Sequence, residues 1–546
     1  MQTPGMVQKM NLDEFRDRLS EKFHSETVWL SLGLSFSETP KPDVCKEADM
    51  ARLFSEAYRH IARYNRTAKE WYIYTGTHWE QDTGGCFAQE LAKDFYKRLY
   101  KFMWGEWSQP IAEDDDEKAK KEQEKREAQQ KAVGMLHKLS RRKTLLEDAR
   151  SVFPFSAEDL DTDPWVLNCQ NVTVDLRTGE CRAHNPEDLF SMVAGTEYDP
   201  AARAPRFEQF IREIFSEPTL DGFQERPGLA RFAQMALGYA MTGSVAEDCL
   251  FMLFGPATRN GKTTLMEAVM AVLGNYAAKS KPDTLAYTGK PNPNVANEDV
   301  ARLKSKRFVS ISEPNKTMHL DVAKVKDLTG GGTQTARFLH ENSFQFQPEF
   351  KIFIDTNYRP RVTDETLFSS GRVHVLPFER HFSAEEQEKD LSEKLAAEKP
   401  GILNWLLEGL RMYLEAGRLE PCEESLKATK EYREDSDKIG QFWEERMEDM
   451  LHPQPGETQD EFDRRVSGRE KNCKGGSVYR EYCDWCADSN LHPQQKGLFF
   501  DDLRKRGLMQ PCRIGNTMDK NGIKGWAVKE VWKEVSDRDA PPEWRN

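Results

Sequence analysis

Two periodicities alternate along this chain. Between residues 207 and 239 apolar side chains recur every three or four positions, with Phe207, Phe210, Ile211 and Ile214 on one face and Phe232, Met235, Ala236 and Tyr239 on another, which predicts two amphipathic helices. The pattern then changes. Leu250, Phe251, Met252, Leu253 and Phe254 form an unbroken apolar run, too short for a helix, that predicts a strand buried on both faces. Residues 307–313, 351–356 and 372–378 read the same way. Residues 71–79 and 165–180 are rich in strand-favouring or alternating positions and carry Gly-containing turns, so each predicts a β-hairpin. Short buried strands mixed with helices predict an α/β chain.

Other stretches have little to bury. Residues 113–131 mix acid and base with almost no apolar positions, and predict a solvated helix or an inserted segment. The next helix carries a basic cluster, Lys138, Arg141, Arg142 and Lys143, which suits a solvated face better than a nucleic-acid contact. After residue 477 two helical stretches precede short strands, the order of a winged helix, and Arg504, Lys505 and Arg506 fall on or after the second helix.

At 546 residues the chain is long enough for roughly three or four domains of ordinary size. Its net charge of -13 gives no global field that would attract a polyanion, so any nucleic-acid contact must be local. The opening residues lack the apolar core of a signal peptide and no apolar run is long enough to span a bilayer, from which a cytoplasmic location without membrane contact is expected. Ten scattered cysteines do not suggest a disulfide framework. Cys483 and Cys486 have a zinc-like gap beside Cys473, His492 and Cys512, but they recur with Tyr479 and Tyr482 at helical spacing, and packing is the expected employment.

The chemistry starts where the first buried run breaks. Gly255 and Pro256 open a loop that closes on Asn260, Gly261, Lys262, Thr263 and Thr264 before a helical pattern begins. Strand, glycine loop and helix in this order outline a phosphate-binding loop: backbone N–H groups close around an anion, Lys262 reaches the terminal phosphates, and the Thr263 hydroxyl serves Mg2+. Five residues separate Gly255 from Gly261, one more than the strict pattern allows. The second run ends at Ser312 and Glu313, which makes Glu313 the candidate for orienting the attacking water and for a place beside the metal. After the glycines at 330–332, two strand-like stretches flank a polar turn at 341–343 and predict a projecting hairpin. The third run ends at Asn357, whose amide can both donate and accept at the sheet edge. Arg372, ahead of the last run, is the candidate for neutralising transition-state charge on a neighbouring subunit's nucleotide.

In order and content these motifs resemble the superfamily 3 helicase domain of the phage and plasmid primase-helicase family, with its poxvirus-type relatives. The resemblance covers roughly residues 65–546 and includes helical sequence at 403–409 and 428–432. It implies an α/β fold with an AAA+ core over 249–385, preceded by a mixed α+β domain over 1–200 and a helical lead-in over 201–248, and followed by helices over 386–450 and a winged-helix-like domain over 451–546. It implies an ATP- and Mg2+-dependent DNA helicase of a phage, plasmid or other mobile element. Such an enzyme moves along single-stranded or forked DNA, 3' to 5', as a hexameric ring during replication, with a separate primase or polymerase as a possible partner. Gly255, Asn260, Gly261, Lys262, Thr263 and Thr264 carry over as ATP-binding residues, Thr263 and Glu313 as metal residues, and Glu313, Asn357 and Arg372 as catalytic ones. Arg337 and His340 carry over as DNA contacts. Gly332 stands where an Asp often follows the glycine pair, and Gly371 replaces one member of a frequent double Arg. The first two hundred residues show neither a clustered acidic pattern nor a cysteine-rich zinc module, so no primer synthesis is expected from this chain. The alternative is an AAA+ ATPase that remodels protein or acts in defence without unwinding DNA.

Overall fold

The computed structural model describes residues 43–111, 116–287, 297–314, 318–337, 343–362, 366–454, 456–489, 491 and 493–529. These form two compact units. One takes in the chain up to Val362 together with Thr366–Thr429, and the other Lys430 onward.

In the first unit, α1 (Glu47–Tyr58) packs on a three-stranded antiparallel sheet, β1 (Ala62–Asn65), β2 (Glu70–Tyr74) and β3 (Trp79–Asp82), and on α2 (Cys86–Trp107). β2 and β3 are the hairpin expected over 71–79, and Trp71 and Trp79 are buried as packing residues. Asp82 holds the start of α2 by accepting from the N–H groups of Phe87 at 3.2 Å and Ala88 at 2.8 Å, which satisfies donors that a helix end leaves free. The charged stretch is helical, α3 (Asp116–Gly134), and buries only Val133. Pairs one turn apart, the exposed Lys121 with Glu117 at 3.0 Å and the half-buried Arg126 with Glu122 at 3.3 Å, support it in place of a core. In α4 (Leu139–Ala149), Arg141 pairs with Glu47 and Arg142 donates to the Leu136 carbonyl at 2.9 Å, so two of the basic cluster have structural employment. A second small sheet, β4 (Val166–Asn168), β5 (Thr173–Asp175) and β6 (Cys181–Arg182), contains the expected turn at Thr178 and Gly179 and adds one more strand before it.

The predicted helix pair is α5 (Pro205–Ile214) and α6 (Pro227–Ala240), joined through the ribbon β7 (Ser216–Thr219) and β8 (Gly222–Glu225). All eight residues assigned to their apolar faces are buried. The centre of the unit is a parallel five-stranded sheet built from β9 (Leu250–Phe254), β10 (Ala277–Ser280), β11 (Phe308–Ser312), β14 (Lys351–Thr356) and β15 (Val373–Pro377), in the order β10-β11-β14-β9-β15. α7 (Lys262–Leu273) follows β9. Continuous apolar runs are what a sheet covered on both faces requires. Phe251 stacks on Phe353 at 4.7 Å and Phe353 on Phe308 at 4.6 Å, a row of rings running across three strands.

Between β11 and β14 the chain leaves the sheet through α8 (Val322–Thr329), capped by Asp321, and forms the antiparallel ribbon β12 (Gln334–Ala336) and β13 (Phe344–Phe346) in the register Ala336 opposite Phe344. This is the expected hairpin. Its turn, with His340, lies outside the described residues. α9 (Lys399–Ala416) closes the unit against α6. A Cβ on Gly238 would lie 2.2 Å from the Leu410 nitrogen and one on Gly409 2.0 Å from the Gln234 carbonyl oxygen, so glycine at both sites lets the helices meet backbone to backbone.

In the second unit α10 (Lys438–Arg446), α11 (Gly475–Asp488) and α12 (Lys496–Lys505) share a core that contains Ile439, Phe442, Tyr482, Trp485, Cys486 and Phe499. Short antiparallel pairs follow, among them Cys512–Ile514 with Thr517–Asp519. Cys486 is packed as helical spacing predicted; His492 lies outside the described residues. The basic trio is tied to neighbours: Arg504 to Asp501 at 2.6 Å, Lys505 to Asp502 at 3.6 Å, and Arg506 to Asp437 through both terminal nitrogens at 2.8 Å. Among the described residues no helix is long and apolar enough to cross a membrane.

Candidate nucleotide site

The parallel sheet sends β9, β11 and β14 to the same edge, so the segments leaving their carboxyl ends converge, as in other open α/β sheets that bind ligands there. β9 ends at Phe254 and Gly255 begins the loop. A Cβ on Gly255 would stand 2.2 Å from Asn260 Nδ2 and 2.5 Å from the Phe378 carbonyl oxygen, so only glycine fits where the loop folds back. Arg259 and Gly261 have φ of +57° and +84°, and these positive-φ turns bring the chain round to the first residue of α7, which is Lys262. At Gly261 a Cβ would fall 2.4 Å from Ile214 Cγ2, which places the end of α5 directly against the loop.

Lys262 is only 4% exposed, and its Nζ donates to Asn357 Oδ1 at 2.7 Å and Asn260 Oδ1 at 3.0 Å. Asn260 itself is held by donating from Nδ2 to the Ala257 carbonyl at 2.9 Å. Thr263 Oγ1 donates to Asp355 Oδ2 at 2.8 Å, and the other oxygen of Asp355 lies 3.8 Å from Lys262 Nζ. Thr264 follows in the first turn of α7. Burial draws the Lys262 ammonium below the ordinary lysine range, against the pull of Asp355. Burial also lifts the Asp355 carboxyl above the usual carboxylate range; the Thr263 hydroxyl and Lys262 oppose that shift, and Glu313 adds to it. Glu313 lies one residue beyond β11, exposed, with φ of +53°, and its N–H donates to the Asp355 carbonyl at 2.9 Å.

Five sequence-predicted residues, Asn260, Lys262, Thr263, Glu313 and Asn357, therefore meet at one sheet edge, around an acid that the sequence reading passed over. Asp355 sits in a fully buried strand, where an ionisable side chain is rare unless partnered. That anomaly was the available signal. Lys351 shares it, but at the opposite end of the strand, where Nζ donates to the Ser244 carbonyl at 3.0 Å.

Arg372 stands elsewhere. It precedes β15, and its carbonyl accepts from the Leu250 N–H at 2.8 Å, at the amino edge of the sheet. Strand rise alone separates that edge from the loop by roughly 16 Å. Its guanidinium donates from Nη1 to Thr329 Oγ1 at 2.8 Å and the Asp248 carbonyl at 3.1 Å, and from Nη2 to Asp248 Oδ2 at 3.2 Å. Arg337 follows β12, where its N–H donates to Asn297 Oδ1 at 2.9 Å.

Residues 51–216 match the family model described as D5 N terminal like. Among curated relatives, "Putative helicase L207/L206" of Acanthamoeba polyphaga mimivirus is 23% identical over 421 residues, covering 72% of this chain and 42% of the relative. "Putative helicase 022R" of Frog virus 3 is 26% identical over 306 residues, 52% of this chain and 28% of the relative. "Putative primase C962R" of African swine fever virus (isolate Tick/Malawi/Lil 20-1/1983) is 29% identical over 205 residues, 37% of this chain and 20% of the relative. The chain thus spans less than half the length of these relatives. A solved structure described as the apo structure of NrS-1 C terminal region (305-718) aligns at 8% identity over 85% of this chain and 96% of that one, with a TM-score of 0.42. The chain thus carries a D5 N terminal like segment and is similar, along part of its length, to viral proteins named as helicases and primases.

Proposed function

We propose that this chain is the ATP-driven DNA helicase of a phage, plasmid or other mobile element, working as a ring of identical subunits that tracks single-stranded DNA 3' to 5'. The observation that carries the proposal is the convergence of Lys262, Thr263, Asp355 and Asn357 at the carboxyl edge of a parallel sheet whose strands β11 and β14 are connected through the β12–β13 ribbon.

The donor set fits a nucleoside triphosphate with a divalent cation: a helix N-terminus behind a glycine loop, a buried ammonium, and a hydroxyl paired with a carboxylate. ATP with Mg2+ would supply the phosphoanhydride bond whose cleavage does the work. Gly255 and Gly261 let the loop backbone close on the phosphates, and Lys262 offers charge already held in line by Asn260 and Asn357. Thr263 and Asp355 would hold the cation, which also gives the buried carboxylate the counter-charge that its surroundings do not fully provide. Glu313, exposed beside them, would accept a hydrogen bond from the attacking water, and Asn357 would report the terminal phosphate. Arg372, a strand length from its own loop, would serve the site of a neighbouring protomer, and Arg337 on the ribbon would touch DNA.

Measuring ATP hydrolysis with and without single-stranded DNA tests the proposal. Stimulation supports it. Hydrolysis indifferent to DNA favours the protein-remodelling alternative, and absence of hydrolysis removes the ATPase assignment.

A further inference from the structure

α8 and the segment before β15 are joined at two points. Lys326 and Thr329, three residues apart and so on one face of α8, reach across the same gap: Lys326 Nζ donates to Thr366 Oγ1 at 2.6 Å, and Thr329 Oγ1 accepts from Arg372 Nη1 at 2.8 Å. Thr329 is buried, and its hydroxyl hydrogen is spent on the Val325 carbonyl at 2.8 Å, which leaves the oxygen lone pairs facing Arg372. Asp248 completes the grip on the guanidinium through its carbonyl at 3.1 Å and carboxylate at 3.2 Å, two residues ahead of the strand that leads into the phosphate loop. On the other side, Thr329 is the last residue of α8 and runs directly into Gly330 and Gly331 and then β12.

We propose that Thr329 and Lys326 form a latch that couples the ribbon to Arg372, a positioning role resting on the helicase function proposed above. While α8 is seated, Arg372 is held against Thr329 and Asp248 within its own chain. A guanidinium so engaged cannot at the same time direct those nitrogens to a neighbour's phosphates. Force on the ribbon is transmitted through a short glycine segment to Thr329, so withdrawal of α8 removes one of the arginine's acceptors and releases it. The coupling is reciprocal: delivery of Arg372 to a neighbour weakens the seat of α8. The partner this device senses is the nucleic-acid strand on the ribbon, and its output is hydrolysis next door.

The test is steady-state ATP hydrolysis by the full chain, with and without a single-stranded oligo-dT, for wild type, Thr329→Val, Thr329→Ser and Lys326→Met. The latch predicts that Thr329→Val, which keeps the side-chain shape and deletes the acceptor, raises basal turnover toward the DNA-stimulated level, so that its DNA-stimulated to basal ratio falls by about fivefold or more, the lower end of ordinary site coupling. Thr329→Ser restores the ratio, which a loss through packing alone would not do. Lys326→Met, at a half-buried position, lowers the ratio in the same direction and stands as the measure if the valine variant does not fold. A wild type that responds to DNA alongside Val and Met variants that respond equally overturns the latch and leaves the helicase function intact. A wild type that hydrolyses ATP without any response to DNA overturns the helicase function and the latch with it.

Discussion

Lys262 Nζ donates to Asn357 Oδ1 at 2.7 Å, a hydrogen bond that joins the first residue of α7 to the first residue past β14. The two sit 95 positions apart in the chain and meet because β14 is the sheet neighbour of β9. Lys262→Ala is expected to abolish ATP binding and turnover together. Asn357→Ala is expected to leave binding within about threefold and cut turnover about 100-fold, the usual cost of one preorganised polar group. Nucleotide titration beside turnover separates the two outcomes.

Asp355 carries the second prediction. Its folded carboxyl holds a proton more tightly than the unfolded one, so the folded state loses stability as pH rises from the ordinary carboxylate value through the raised one. Asp355→Asn removes that term. The variant is expected to melt at the same temperature as wild type or higher at pH 7, while its Mg2+-dependent turnover falls about 100-fold or more. A clear loss of melting temperature would show that the carboxylate is needed for folding.

Gly255→Ala and Gly261→Ala should both damage the loop, for different reasons. The first drives a methyl group into Asn260 and the Phe378 carbonyl; the second adds a left-handed backbone penalty to a clash with Ile214. Each is expected to cost about 1–3 kcal/mol of stability and to abolish nucleotide binding. Calorimetric titration and thermal unfolding check the pair.

His374 provides a pH signature that is independent of activity. It lies in β15, stacked on Phe251 at 5.6 Å, and burial pushes its imidazole down to about 4. The folded chain therefore keeps it neutral while the unfolded chain protonates near 6.5. Its contribution is complete above that value and is lost as pH falls toward about 4, on the order of 2 kcal/mol by pH 5. His374→Leu is expected to show a smaller drop in melting temperature between pH 7 and pH 5 than wild type. Equal drops would mean that the ring is protonated in the folded protein.

Much of the core was legible because buried parallel strands are spelled as uninterrupted apolar runs. Each of the runs at 250–254, 307–313, 351–356 and 372–378 is a strand of one sheet, and the loop glycines sit where backbone crowding requires them. The faces of α5 and α6 followed from helical spacing alone. Asp355 is hard to single out in the sequence because it lies inside the strand run at 351–356, one residue before the run ends. The ties on Arg372 were illegible for a different reason. Asp248 and Arg372 are brought together by the pairing of β9 with β15 and Thr329 by the return of α8, and neither a strand's neighbours nor a helix's resting place is written in its own residues.

The assignment of Arg372 to a neighbouring site makes its own prediction. Arg372→Ala should bind nucleotide and fail to turn it over. Mixing it with Lys262→Ala, which fails for the other reason, should restore part of the activity, because some interfaces then pair an intact loop with an intact arginine. Mixed samples no more active than either variant alone would place the arginine's role within its own chain.

In the proposed function, hydrolysis at the Lys262 site drives strand separation. Its most direct measurement is unwinding of a labelled fork by the full chain with ATP and Mg2+, on substrates carrying a single 3' or 5' tail. Wild type is expected to unwind the 3'-tailed substrate only, and Lys262→Ala neither. Forks of both polarities left intact by wild type that hydrolyses ATP, or unwinding that persists in Lys262→Ala, would contradict it.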